Sequence, residues 1–330
     1  MKAIRHILFA VRNPDAVRQP GIIKAIAVAK SFGASLEIFH ALTSPVFTGL
    51  EPMTGVTVEM LRREVQQRTR ARLEKFSALA KRSGVALTSA VEWDYPPHEA
   101  IVRRAARKGA DLIIAECHKG GRTRPWLIHL TDWELLRTSS LPVLLLKNPR
   151  RYRRPVVLAA VDPSHAHAKP ARLDADILAT AAQFSVALHG RLHAMHANNP
   201  PLSTLALGDP AINAASISIA YAALEQKGRE DFEKFMKAMD IGPARQHLVD
   251  GAPAVVIPAV ARNTNAALVV MGAVSRSGLG RMFIGNTAER VLGALPCDVL
   301  VLKPRGAKTR VAAATRGMRV VPVPAIPLVA

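Results

Sequence analysis

One run of segments occurs twice in this chain, in the same order, and that duplication limits the fold more than any other feature. Ala110-Asp-Leu-Ile-Ile-Ala115 returns as Ala266-Ala-Leu-Val-Val-Met271. Val143-Leu-Leu-Leu-Lys147 returns as Val299-Leu-Val-Leu-Lys303, at the same spacing of 156 residues. Asp94-Tyr-Pro-Pro97 pairs with Asp250-Gly-Ala-Pro253, and His40-Ala41 with His196-Ala197. Near the start, Ile7-Leu-Phe-Ala-Val-Arg12 matches Val157-Leu-Ala-Ala-Val-Asp162 with the spacing reduced to 150. Matches in one order over so long a stretch indicate a duplicated domain. The 330 residues then divide into residues 1–150, residues 151–304 and a basic, proline-containing tail, 305–330. The seam falls in the polar stretch Asn148 to Arg154.

Each copy alternates short apolar runs with helix-like stretches. The first predicts strands near 4–11, 35–42, 85–92, 110–115 and 141–147, and helices near 21–32, 55–82, 97–108 and 131–138. The second predicts strands near 155–161, 190–197, 245–250, 266–271 and 297–303, with helices near 171–186, 213–239, 253–263 and 286–294. Strands rich in Val, Leu and Ile without alternation are covered on both faces. The pattern therefore gives the α/β class: two tandem doubly wound domains, each a mostly parallel five-stranded sheet with helices on both faces. Ligands of such sheets bind beyond the C-terminal strand ends, where the strand order reverses. The loops after the first and fourth strands of each copy are thus the places for chemistry. In the tail, Val-Pro-Val-Pro-Ala-Ile-Pro excludes a regular helix. A flexible extension is the reading taken there, and packing onto a neighbour is its alternative.

Composition narrows the class further. Two cysteines, Cys117 and Cys297, form no disulfide framework and no Cys-x-x-Cys pair. No stretch approaches 18 uninterrupted apolar residues, so a membrane-spanning helix is not expected, and the short apolar run at Ile7 to Val11 does not make a signal peptide. A reduced, cytoplasmic protein is the default. The formal charge of +20 is concentrated: residues 1–150 hold 24 Lys and Arg against 13 Asp and Glu, and the tail holds 5 against none. Nucleic-acid or anionic-membrane binding is one reading of this excess. A solvated basic surface is the other, and no RNA-binding signature supports the first.

The second copy carries a glycine-punctuated loop between its fourth strand and last helix: Gly272-Ala-Val-Ser275, nine residues, then Gly285-Asn286-Thr287. A strand leading through glycines into a helix N-terminus gathers backbone N–H groups for a phosphate. Ser275 adds a Cβ where glycine would allow positive φ. Asn286 with Glu289 also has capping-box spacing, which competes for the same N–H groups. Arg276 and Arg281 stand ready to neutralise phosphate, or are solvated loop charges. In the first copy the matching positions are Glu116, Lys119, His129 and Leu130, a set that opposes phosphate binding. There Thr131 and Glu134 read as a plain helix cap. That half reads as a pseudo-subunit, or as holder of an apolar ligand beside Trp126 and Trp133, although tryptophans are more often core.

The sequence resembles the universal stress protein family, whose phosphate signature is Gly, two residues, Gly, nine residues, Gly, then Ser or Thr. Spacing is kept here and two of four positions differ. Asn286-Thr-Ala-Glu289, Cys297-Asp-Val-Leu-Val-Leu-Lys-Pro304 and Thr131-Asp-Trp-Glu-Leu-Leu-Arg137 are similar to the tandem, E-type members. The resemblance implies an adenine-nucleotide fold of the alpha hydrolase-like kind and a role in stress survival rather than a defined reaction. It implies a site for ATP or another adenine nucleotide, with magnesium, on Asp162, Ala197, Met271, Gly272, Ser275, Gly285, Asn286 and Thr287. It also implies self-association, or pairing of the two domains through their last strands. Asp162 would accept hydrogen bonds from ribose hydroxyls, or only shape the Asp-Pro-Ser turn. Arg12 at the matching place in the first copy reverses the charge.

No catalytic motif is present: no Gly-x-Ser-x-Gly, no Walker lysine, no His-Glu-x-x-His. At most, weak ATP hydrolysis is expected. Histidines 165, 167, 189, 193, 196 and 247 gather in the second copy. Zinc is conceivable there, but His193 and His196 are three apart on a strand and face opposite sides. Ordinary surface or core histidines are the reading taken, with no metal. Two functions follow: a stress-response protein sensing an adenine nucleotide through its second domain, or a scaffold acting on protein, RNA or lipid partners.

Overall fold

The computed structural model describes residues 3–44, 46–48, 57–117, 130–164, 172–200, 214–239, 241–273, 286–309 and 311–322. The chain forms two compact units. The first contains residues 2–141, 149–151 and the tail from Lys308. The second contains 142–148 and 152–307.

In the first unit the chain runs β1 (His6–Ala10), α1 (Pro20–Phe32), β2 (Ser35–Leu42), β3 (Val46–Thr48), α2 (Val58–Glu74), α3 (Ser77–Arg82), β4 (Leu87–Trp93), α4 (Pro97–Lys108), β5 (Leu112–Glu116) and α5 (Leu130–Thr138). Strands β4, β2, β1 and β5 lie side by side in that order, all parallel. The order reverses between β1 and β5, as expected of a doubly wound sheet. Helix α1 opens with Pro20, whose fixed φ suits a first turn, and ends at Gly33 with φ +61. Its Ile22, Ala25, Ile26, Val28 and Ala29 are buried.

The second unit runs β6 (Val143–Leu146), β7 (Val156–Val161), α6 (Leu173–Ala187), β8 (Arg191–Asn198), α7 (Ala214–Lys237), β9 (Gln246–Asp250), α8 (Pro253–Asn263), β10 (Ala266–Gly272), α9 (Asn286–Ala294) and β11 (Asp298–Leu302). Strands β11, β10, β7, β8 and β9 are parallel neighbours in that order. β6 adds antiparallel to β11, with Leu144 opposite Leu300. Every residue of β6, β7 and β11 is buried, which explains why these strands are apolar throughout except for Asp298 at the start of β11. Asp298 holds the chain leaving β6: its carboxylate accepts the N–H groups of Lys147 and Asn148 and the Tyr152 hydroxyl. Lys147 Nζ donates to Leu292 O and Leu295 O, the carbonyl end of α9.

Three expectations change. The helix foreseen over 55–82 is two helices, broken at Lys75-Phe76. Two short strands, β3 and β12 (Val320–Pro322), carry no periodic signal and pair parallel in a sheet of their own. The expectation of a flexible tail fails for residues 311–322, which are held on the first unit. Arg316 donates its backbone N–H to Asp94 Oδ1 and its guanidinium to Glu99, and it lies over the Tyr95 ring. Arg103 Nη1 reaches Ala312 O. Basic tail residues find buried and half-buried carboxylates far away in sequence, which no local pattern reveals.

Candidate functional site

In the second unit the strand register brings the sequence-derived residues to one end of the sheet. Val161 lies opposite His196, one residue before Ala197, and Ala160 lies opposite Met271, one residue before Gly272. Asp162 follows β7 directly. Asp162, Ala197, Met271 and Gly272 therefore share the C-terminal edge at the point where strand order reverses. Asn286 and Thr287 start α9. Ser275 and Gly285 lie outside the described residues, as do Arg276, Arg281, His165 and His167.

Asp162 is 8% exposed. Its backbone N–H donates to Asp174 Oδ1 at 2.8 Å, which ties the loop after β7 to the first turn of α6. Its Oδ1 accepts the Ser164 hydroxyl at 3.0 Å. Its Oδ2 is buried and has no hydrogen-bond partner among the described residues. A buried carboxylate oxygen in that state favours a ligand that brings a hydroxyl donor.

His196 donates Nδ1–H to Val161 O at 3.1 Å and stacks on Phe232. Its counterpart His40 makes the same bond to Val11 O at 2.8 Å. Burial lowers the pKa of His40, and the bond to Val11 opposes that shift. This repeated bond fixes the ring at the end of the first strand in both copies, a structural duty that the paired His-Ala sequences signalled.

Gly272 also has a packing role. A Cβ there would stand 2.7 Å from Leu173 Cδ2 and 3.2 Å from Ile177 Cδ1. Its missing side chain admits helix α6 against β10.

His193 and His247 meet on β8 and β9: Nδ1 and Nε2 are 2.9 Å apart and the rings are stacked. Burial lowers both pKa values, and the neighbouring His247, Arg191 and Arg245 lower that of His193 further. Among the described residues no group of three or more His, Cys, Asp and Glu is arranged to hold a metal.

In the first unit the same strand ends are built otherwise. Glu116, at the position of Gly272, points to the start of α1 and accepts the Gly21 N–H. Burial raises its pKa, while that bond and Arg12 oppose the rise. Lys119, His129 and Trp126 lie outside the described residues. Trp133 is half-buried on α5.

The pattern of the universal stress protein family matches residues 3–147 and 156–303. Universal stress protein E of Photorhabdus laumondii is 26% identical over 312 residues, covering 93% of this chain and 98% of that protein. Universal stress protein E of Escherichia coli K12 is 28% identical over 315 residues, covering 90% and 93%. The crystal structure of a putative universal stress protein from Pseudomonas aeruginosa UCBPP-PA14 matches with a TM-score of 0.70 at 25% identity, covering 92% of this chain and 94% of that one. No described helix is long and apolar enough to cross a membrane. Two matched domains, two doubly wound units and full-length tandem relatives lead to one conclusion: the chain belongs to the universal stress protein family, as a tandem member of the E type.

Proposed function

We propose that the protein serves the stress response as a sensor of an adenine nucleotide, bound at the strand ends of the second unit. Family membership supports the stress-response part. The nucleotide part rests on one observation: Asp162 Oδ2, buried at the switch point, has no hydrogen-bond partner among the described residues. A ribose hydroxyl would donate to it. The Ala197 backbone, at the end of β8, would face the base. Asn286 and Thr287, at the start of the nine-residue helix α9, would offer backbone N–H groups to phosphate. No described residue is assigned to the magnesium ion that accompanies ATP. A ligand favouring one conformation would then shift the population of states.

A second reading is a scaffold that binds no nucleotide and works on anionic or protein partners. The packing of Leu173 against Gly272 favours it, because it explains that glycine without a phosphate. Calorimetric titration of nucleotide-free protein with Mg-ATP separates the two. Binding that weakens about tenfold or more in Asp162→Ala supports the sensor, since a lost hydrogen bond to a charged group is worth about 1.5–3 kcal/mol. Absence of heat at high micromolar ATP selects the scaffold.

A further inference from the structure

At the N-terminal ends of β8 and β9, away from the switch point, four basic side chains collect on the second unit's sheet. Arg191 and His193 are two apart on β8, and Met195 lies beside His247 of β9. Residues 191, 193 and 247 therefore share one face. His193 Nδ1 and His247 Nε2 meet at 2.9 Å across it. Arg245 ends the 3₁₀ turn Pro243–Arg245, two residues before His247, and its charge acts on His193, as does that of Arg191.

Carboxylates lie elsewhere. His196 and Asn198 point to the opposite face, where His196 stacks on Phe232 and Asn198 donates to Glu225 O. The acidic residues of α7 belong to that face. So does Asp250, which accepts from Asn198 and Arg229. Strands β7 and β8 contain no Asp or Glu, and neither does α8, which packs on β8 and β9. The charged residue of α8 is Arg262, in its last turn. Asp240, ahead of the 3₁₀ turn, lies outside the described residues. A single carboxylate there would leave the four donors in excess. Neither Arg191 nor Arg245 has an ion pair or side-chain hydrogen bond among the described residues, whereas Arg103, Arg104 and Arg107 of the first unit are all paired with carboxylates.

The imidazoles can change their donor count without parting. Uncharged, the pair holds one N–H···N bond and leaves one outer ring nitrogen bare. One added proton keeps that bond and puts hydrogen on both outer nitrogens. A nearby anion favours that state.

We propose that this cluster binds a tetrahedral dianion, a phosphate or sulfate group, held by the guanidinium groups of Arg191 and Arg245 and by the outer N–H groups of the His193–His247 pair. The site stands at the opposite end of the sheet from the nucleotide reading, and either can fail without the other.

The test titrates sulfate, a dianion throughout the range used, into the full chain at about pH 6 and about pH 8. Histidine ring signals are followed by NMR and assigned through His193→Gln and His247→Gln. Sulfate should move both ring signals, raise the pH at which they titrate, and bind about fivefold or more tighter at the lower pH. Arg191→Gln/Arg245→Gln should weaken binding about tenfold or more. His193→Gln/His247→Gln should remove most of the pH dependence, and Asp162→Ala should change nothing. Inorganic phosphate and glycerol 2-phosphate, compared at one pH, separate the sources of the group. Tighter binding of the ester assigns the site to organic phosphates, and equal binding assigns it to the free ion. Ring signals unmoved at high millimolar sulfate, equal shifts with sodium chloride at the same ionic strength, or binding unchanged in the arginine variant would each overturn the proposal. Should a variant fail to fold, the sulfate and chloride titrations of the parent protein still decide it.

Discussion

Gly21 and Glu116 share one space: a Cβ on Gly21 would stand 2.6 Å from Glu116 Cδ and 2.7 Å from its Cγ. In the second unit the corresponding residues, 156 positions on, are Ile177 and Gly272, so the large and small partners are exchanged. Gly21→Ala should therefore destabilise the first unit by about 1–3 kcal/mol, the usual cost of overpacking. Combining it with Glu116→Ala should recover much of that loss, because the collision goes with the carboxylate. Urea unfolding of the single and double variants measures the coupling. Additive effects would mean that the two positions do not share space.

Gly272 makes the opposite test. Gly272→Ala places its Cβ against Leu173 and should lower stability by about 1–3 kcal/mol with or without nucleotide. Leu173→Ala should relieve part of this in the double variant. The melting temperature must accompany any nucleotide titration of a Gly272 variant. Lost binding without lost stability would point to phosphate contact instead of helix packing.

Arg103 and Asp94 form the most deeply buried ion pair described, with Nε and Nη2 of the arginine on the two carboxylate oxygens at 2.7 and 2.8 Å. Asp94 also accepts the Arg316 N–H from the tail. Arg103→Met should cost about 3–5 kcal/mol, since it leaves a buried carboxylate without its partner. It should also loosen residues 311–322, seen as faster trypsin cleavage after Arg316. Unchanged cleavage would show that the tail is held independently of this pair.

The stacked His193–His247 pair sets a pH dependence. Burial, the largest cause, lowers both folded pKa values below the ordinary 6.5, so the unfolded chain binds protons first as pH falls. The stability these residues contribute is complete above pH 6.5 and declines as pH drops through that value toward the folded pKa. His40 and His98 shift the same way, for the same first cause. Chemical denaturation between pH 7.5 and 5.5 should show a shallower loss for His193→Gln/His247→Gln than for the parent protein. Parallel curves would remove the pair from the acid response.

His189 has φ +51, at the place in the second copy where Gly33 ends α1 with φ +61. The left-handed backbone is kept while the residue that suits it is not. A side chain there costs about 1 kcal/mol or more, partly offset by the greater freedom of unfolded glycine. His189→Gly should raise stability by about 0.5–1 kcal/mol in thermal or urea unfolding. A loss would show that the imidazole makes a contact worth more than the strain.

Strand and helix positions were legible in the sequence because they depend on local patterning and on its repetition. The buried runs at Val156–Val161 and Asp298–Leu302, and the helix ends at Gly33 and Gly109, signal themselves within a few residues. The alternation of strands and helices, repeated in both copies, pointed to two doubly wound sheets with Asp162, Ala197, Met271 and Gly272 at strand ends, and the strand register puts these four on one sheet edge. Tertiary structure alone decided how those residues are used. Whether Gly272 faces a ligand or Leu173 depends on the approach of a helix whose start lies about a hundred residues earlier. Glu116 opposed phosphate in the sequence, but only its bond to Gly21 showed why. Arg316 meets Glu99 across 217 residues of chain, so its docking left no local trace. Periodicity records which face of an element is buried. It does not record which side chain fills the space opposite, and site chemistry depends on that pairing.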